Sequence, residues 1–145
     1  MATLKGNTVT VIPALRYRDA DAGIAWLKDV LGFEENAVYR DGSGKVAHAE
    51  LTLGNGMIML GSVDEKSQAL GYAKQPDEIG NFVTSSIYVI VPDCAPVYAR
   101  VQAAGSFILM ELRTMDYGGG GFTVRDPEGH VWSVGEYDPW ATPAA

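Results

Sequence analysis

The amino-acid sequence contains one unit twice, and a chain that repeats a unit of this length folds as two copies of one supersecondary module. The first copy opens on Val9-Thr10-Val11-Ile12, a β-branched run closed by Pro13, and the second on Ile87-Tyr88-Val89-Ile90-Val91, closed by Pro92. Each run leads through an acidic cap, Asp19 or Asp21 in one and Asp93 in the other, into a helical stretch that ends on glycine, Gly32 or Gly105. From Asp19 to Gly32 is thirteen positions, and from Asp93 to Gly105 twelve. Ile24, Leu27 and Leu31 fall three and four apart, with Trp26 and Val30 widening the stripe; Val97, Val101 and Ala104 repeat the pattern beside Tyr98. The spacing predicts helices over Asp21–Leu31 and Ala95–Ala104, started by a carboxylate and stopped by a left-handed glycine.

Three strand-like segments follow each helix, at about 33–40, 46–53 and 57–61 and again at about 107–112, 121–125 and 130–135. Asp41-Gly42-Ser43-Gly44 and Asp116-Tyr117-Gly118-Gly119-Gly120-Gly121 supply comparable turns between them. The 145 residues therefore read as one α+β domain with module 1 at about 8–62, a connector at about 63–82 and module 2 at about 83–138. The connector carries Gly71, Pro76 and Gly80 and is longer than packing requires, which fits a lid, a rim or a subunit contact as well as a plain linker. The tail Asp138-Pro139-Trp140-Ala141-Thr142-Pro143 has a proline near each end and is expected to be irregular.

Composition removes several partners. A net charge of −7 with scattered basic residues argues against nucleic acid and against an anionic membrane surface. Met1 to Thr10 shows no signal-peptide pattern, and no window approaches a membrane span. The single cysteine, Cys94, excludes an internal disulfide framework and suits a reducing, cytoplasmic setting.

Asn55-Gly56 is a strong signal for a two-residue type I′ hairpin turn. Built on it, Leu53 pairs with Ile58, Thr52 with Met59, Leu51 with Leu60 and Glu50 with Gly61. Side chains alternate across a strand, so Ala49, Leu51, Leu53, Ile58 and Leu60 share the face packed under the helices. The opposite face carries His48, Glu50, Thr52, Met57, Met59 and Gly61. Two methionines beside a histidine and a glutamate suit the wall of a half-apolar cavity better than an ordinary solvated surface. In the second copy Ser86, Tyr88 and Ile90 form the matching face, with Ser133 on the last strand. Trp132 reads as core and His130 as a surface hairpin residue.

Ile12-Pro13-Ala14-Leu15-Arg16-Tyr17, Asp19-Ala20-Asp21-Ala22, Leu31-Gly32-Phe33 and above all Arg125-Asp126-Pro127-Glu128-Gly129-His130-Val131-Trp132-Ser133 resemble the glyoxalase/bleomycin-resistance/extradiol-dioxygenase (vicinal oxygen chelate) superfamily. Among its members the chain is most similar to uncharacterised bacterial glyoxalase-like and bleomycin-resistance-like proteins. The resemblance runs from Thr10 to about Tyr137. It implies two βαβββ modules whose eight strands form a curled, cup-shaped mixed sheet, and it makes a homodimer the expected assembly. Metal-dependent members carry His or Glu on the first and last strands of each module. Carried over, those positions are Ile12 (or Pro13), Met59, Ser86 and Ser133, none a credible ligand, so no metal and no other cofactor is expected. His48 and Glu50, two apart on one strand, are the one pair able to share an ion.

The resemblance and the residues together point to a metal-independent cup for a small, partly apolar or aromatic organic molecule, as in bleomycin-resistance-type sequestering proteins. Met57, Met59, Tyr88 and Phe122 are the expected apolar contacts, and His48, Glu50, Thr52, Ser86 and Ser133 the polar ones. The acidic surface would weakly favour a cationic ligand. The alternative is a glyoxalase-like lyase or isomerase, or a dioxygenase-related enzyme, with Glu50 or His48 as acid or base; a third is a structural dimer with a closed cup.

Overall fold

The computed structural model describes residues 9–141, so most of the stretch read for a leader and the Thr142-Pro143 end of the tail lie outside the described residues. Two βαβββ modules are present. The first is β1 (Ala14–Tyr17), α1 (Ala20–Trp26) continued by a π-helical turn over Leu27–Leu31, β2 (Glu34–Arg40), β3 (Val46–Leu53) and β4 (Gly56–Ser62). A short helix α2 (Glu65–Ala69) and a 3₁₀ turn (Pro76–Ile79) fill the connector. The second module is β5 (Ile87–Ile90), α3 (Cys94–Ala103), β6 (Phe107–Thr114), β7 (Gly120–Arg125) and β8 (Val131–Gly135). The eight strands divide into two four-stranded sheets of equivalent order, β1-β4-β3-β2 and β5-β8-β7-β6. In each, the first strand runs parallel to the last and the other pairings are antiparallel. Among the described residues no helix is long and apolar enough to cross a membrane.

Local chemistry explains the helix ends. Asp19 accepts from the Ala22 N–H and Asp93 from the Ala95 N–H, and Gly32 closes the first helix with φ 90°. Two expectations need correction. The first strand begins after Pro13, not at Val9, and Val11 is 81% exposed. Its β-branched run leads into Pro13, which has no N–H to give the ladder, so pairing starts at Ala14 opposite Met59 although β4 itself begins at Gly56; pairing overrides propensity. The β3–β4 turn is Gly54-Asn55, not Asn55-Gly56: Leu53 pairs with Gly56, Leu51 with Ile58 and Glu50 with Met59. Gly54 has φ 58° while Asn55 does not have positive φ, the signature of a type II′ rather than a type I′ turn. The shift is even, so every side chain keeps its expected face.

Ala49 and Leu51 are fully buried and Ile58 and Leu60 nearly so, in one cluster with Leu27, Val101 and Trp132 that serves both modules. Phe33 meets Trp132 edge to face at 5.7 Å. Trp26 donates its indole N–H to Ser106 (2.9 Å), and Arg100 Nε donates to the Val30 carbonyl (2.9 Å). The Asp126-Pro127-Glu128-Gly129-His130 hairpin provides the polar half of this junction. Asp126, buried, accepts from the Tyr17 hydroxyl (2.6 Å), the Trp132 indole (3.1 Å) and the backbone N–H groups of Glu128 and His130. Burial, with the Asp126 carboxylate beside it, pushes the Tyr17 phenol well above its ordinary pKa, so it stays a donor.

Asp126→Ala strands the Tyr17 hydroxyl and the Trp132 indole N–H in the core and is expected to cost about 3 kcal/mol or more. Tyr17→Phe leaves Asp126 its other donors and is expected to cost about 1 kcal/mol. Urea unfolding followed by tryptophan fluorescence measures both.

Candidate functional site

The sheet face away from the core in module 1 carries Ala14 and Arg16 on β1, His48, Glu50 and Thr52 on β3, and Met57, Met59 and Gly61 on β4. A cleft of about 720 Å³ opens over one end of this face, where the modules meet. Arg16, His48, Met59 and Gly61 form its floor, Tyr72, Lys74, Gln75 and Phe82 of the connector one wall, and Ser86, Ile87 and His130 the far side. The connector is thus the rim of the cleft. It is fixed there by Gln75, buried, which donates to the Arg16 carbonyl and to Glu128, and by the Arg18 guanidinium, which grips Asp77 with two bonds of 2.6 and 2.8 Å.

Within the cleft His48 is held by its neighbour. His48 Nε2 lies 2.9 Å from Glu50 Oε2, and the Tyr39 ring stacks on the imidazole with centroids 6.0 Å apart. Hydrogen bonds from His48 and then from Asn36 hold the Glu50 carboxyl below its ordinary pKa, so it is ionised at neutral pH. An ionised carboxylate only accepts, which places a proton on His48 Nε2 and turns Nδ1 away from Glu50. Asn36 reaches Glu50 (2.8 Å) because it is the extra residue of a bulge: Glu35 pairs with Leu51 and Ala37 with Glu50, with nothing opposite Asn36.

The expected site residues fall into four groups. His48, Met59 and Ser86 line the cleft, and Glu50 adjoins it through His48. Thr52 and Met57 continue the same sheet face toward the hairpin turn, outside the cleft lining. Tyr88 and Ser133 pair with each other on the second sheet, away from this cleft; the Tyr88 hydroxyl donates to the Tyr137 carbonyl, and Ser133 shares a hydrogen bond with Thr123. Phe122 is a correction. It is 1% exposed and packs edge-on against Tyr98 of α3, because its pairing with Val134 puts it on the core face. His130 is a second correction: it is half-buried rather than a plain surface residue, donating from Nε2 to the Arg16 carbonyl (2.8 Å) and meeting the Tyr17 ring edge-on. Arg16 and Asn36 are site residues that the sequence reading did not single out. Among the described residues Trp140 is left 90% exposed.

The donor set does not fit a divalent metal. The register places Ala14 opposite Met59 and Tyr88 opposite Ser133, while Ile12 and Ser86 lie ahead of their strands. Among the described residues no three of His, Cys, Asp and Glu gather to hold an ion, and the two Glu50 oxygens already serve Asn36 and His48. Thiol chemistry does not fit either, since burial pushes buried Cys94 up to about 11.

Residues 9–134 match the model of the Glyoxalase/Bleomycin resistance protein/Dioxygenase superfamily. An uncharacterized protein of Mycobacterium bovis is 29% identical over 93 residues, covering 64% of this chain, which thus spans 60% of that relative's length. The crystal structure of TioX from Micromonospora sp. ML1 superposes with a TM-score of 0.68 at 27% identity, covering 92% of this chain and all of that one (100%). The fosfomycin resistance protein FosX from Listeria monocytogenes gives a TM-score of 0.65 at 13% identity, covering 94% and 97% of the two chains, a likeness of fold alone.

The Glu50 environment is testable directly. Its lowered pKa adds stability that is present above the ordinary glutamate range and is lost as pH falls through the depressed value. His48→Ala is expected to move the Glu50 carboxyl midpoint back up toward the ordinary value, and Asn36→Ala to move it less, read by carboxyl carbon NMR titration.

Proposed function

The chain belongs to the Glyoxalase/Bleomycin resistance protein/Dioxygenase superfamily, and we propose that within it this protein binds a small, partly apolar or aromatic organic molecule without a metal, in the manner of bleomycin-resistance-type sequestering proteins. The observation that carries this reading is the cleft itself. At about 720 Å³ it has the size of a small-molecule site, with a few polar groups set among apolar and aromatic walls. His48 and Ser86 supply polar contacts and Met59 an adaptable apolar one, with Glu50 acting through His48. Thr52, Met57, Tyr88 and Ser133 enter this reading only as outlying parts of the two sheet faces. The protein is further proposed to work as a cytoplasmic homodimer. Tyr39, Phe82, Phe107 and Trp140 are all more than half exposed in the single chain, more apolar surface than a monomer usually leaves open.

A second reading rests on the His48–Glu50 pair. An ionised carboxylate fixing an imidazole is the arrangement of a general base, which suits a lyase or isomerase acting on an acidic C–H bond. Under that reading the bound compound is released chemically changed; under the first it is recovered intact.

His48→Ala is expected to weaken binding of a cleft ligand by about 10-fold while leaving the urea midpoint nearly unchanged, and Leu51→Ala to leave binding alone and cost about 2–5 kcal/mol of stability. Wild-type binding is expected to persist in EDTA; isothermal titration calorimetry reads these affinities. Sedimentation equilibrium is expected to return a mass near twice the chain's 15.5 kDa at micromolar concentration.

A further inference from the structure

The fixed charges that line the cleft, Arg16 and Lys74, have one sign. Arg16, His48, Lys74 and His130 line it and no aspartate or glutamate does, in a chain whose net charge is −7. Arg16 is the centre of this patch. It pairs with Gly61 across β1 and β4, on the face that carries Met59. A Cβ at position 61 would lie 2.5 Å from Arg16 Nη1 and 2.8 Å from the Ala47 carbonyl oxygen, so the guanidinium occupies space that only glycine leaves free.

The other arginines of the core and rim are committed. Arg18 holds Asp77, Arg40 holds Asp21, and Arg100 and Arg125 donate to the carbonyls of Val30 and Gly129. The Arg16 guanidinium makes no ion pair or hydrogen bond among the described residues, a property it shares only with exposed Arg113. The carboxylate that senses Arg16 is Asp64, which caps α2 by accepting from the Ser67 N–H and does not line the cleft. A rigid five-donor fork on a strand, half-buried and lacking an acceptor, is built to receive one.

We propose that the cleft takes a small organic acid, a carboxylate or phosphonate on an apolar or aromatic body, whose anionic group is gripped by Arg16. The inference rests on the cleft being the binding site and names the chemistry of its ligand. Lys74 on the rim adds charge at longer range, while Met59, Tyr72 and Phe82 meet the body. The sign is opposite to the one the net charge suggests. Overall charge acts on approach through salt-screened distance, whereas the bound group meets Arg16 by charge-assisted hydrogen bonds.

The test uses the full chain and four probes of one shape: phenylacetate, phenylphosphonate, uncharged phenylacetamide and cationic phenethylamine, titrated while Met59 methyl and His48 ring NMR signals are followed. At least one of the acids is expected to bind about 10-fold or more tighter than the amide, and the arm that binds better separates a carboxylate from a phosphonate ligand. Arg16→Gln is expected to bring the acid down to the affinity of the amide and leave the amide within about 2-fold, and Arg16→Lys to recover part of the preference. An amide or amine that shifts the cleft signals at equal or lower concentration than both acids overturns the anion assignment and leaves the cleft as a binding site. Wild-type selectivity for acids that survives in Arg16→Gln removes Arg16 from the proposal. Silence of both residues to all four probes at millimolar concentration rejects this inference together with the reading beneath it. The wild-type comparison of acid with amide needs no variant to fold.

Discussion

The carboxylate of Asp126 ties the two modules at the point from which the cleft is built. It sits in the last hairpin of module 2 yet accepts from Tyr17, the last residue of β1 in module 1, and from Trp132 in the core. Such a carboxylate is tolerable in an apolar interior only because donors surround it. Gly23 of α1 leaves room for the Tyr17 ring, which a Cβ would approach to 2.6 Å. The next residues of the same hairpin extend the tie: Glu128 accepts from the backbone N–H groups of Arg18 and Asp19 and from Gln75, and His130 donates to the Arg16 carbonyl. Strand β1 and the start of α1 are therefore positioned by five consecutive residues more than a hundred positions away, and one of those five also holds the connector rim.

The two modules share a frame and differ where chemistry is possible. Asp19 and Asp93 cap equivalent helices, and Gly61 and Gly135 occupy equivalent places in β4 and β8. By the same register Arg16 corresponds to Ile90, Ala14 to Tyr88 and Met59 to Ser133. In module 2 the Tyr88 ring lies over Gly135 and its hydroxyl is used by the tail, where Tyr117 and Tyr137 meet edge to face. The equivalent ground in module 1 holds an uncommitted guanidinium and a small alanine. The repeat thus supplies two similar sheet faces, and the tail occupies part of one.

What the sequence made legible follows the range of the interactions concerned. Helix limits depend on residues within a turn: Gly32, Asp93 and Gly105 could be read in place, and Asp19 as one of two candidate caps beside Asp21. The sheet faces depend on parity alone, so a turn misplaced from Gly54-Asn55 to Asn55-Gly56 still left Leu51 inside and His48 outside. The start of β1 depends on where its ladder with β4 begins, at Ala14 opposite Met59, which the propensity of Val9 to Ile12 does not record. His130 was read as a surface residue because its partners, Arg16 and Tyr17, lie at the other end of the chain. The Asn36 bulge is likewise a product of β2 against β3 rather than of either strand's sequence. Phe122 is different: its parity with Val124, and through pairing with Val134, was available and placed it in the core.

The cleft draws its character from the disagreement between local and global charge. A chain with 18 acidic and 11 basic residues would place carboxylates along a random surface groove. Here the nearest acids are turned to structural use: Glu50 holds His48, Glu128 holds β1 and α1, Asp77 and Asp64 hold the connector. Each of these bonds places a carboxylate where it fixes a rim or floor element and keeps it out of the lining, while the basic partners Arg16 and Lys74 are left without a counter-charge in the lining. Structural pairing and site electrostatics are therefore one arrangement.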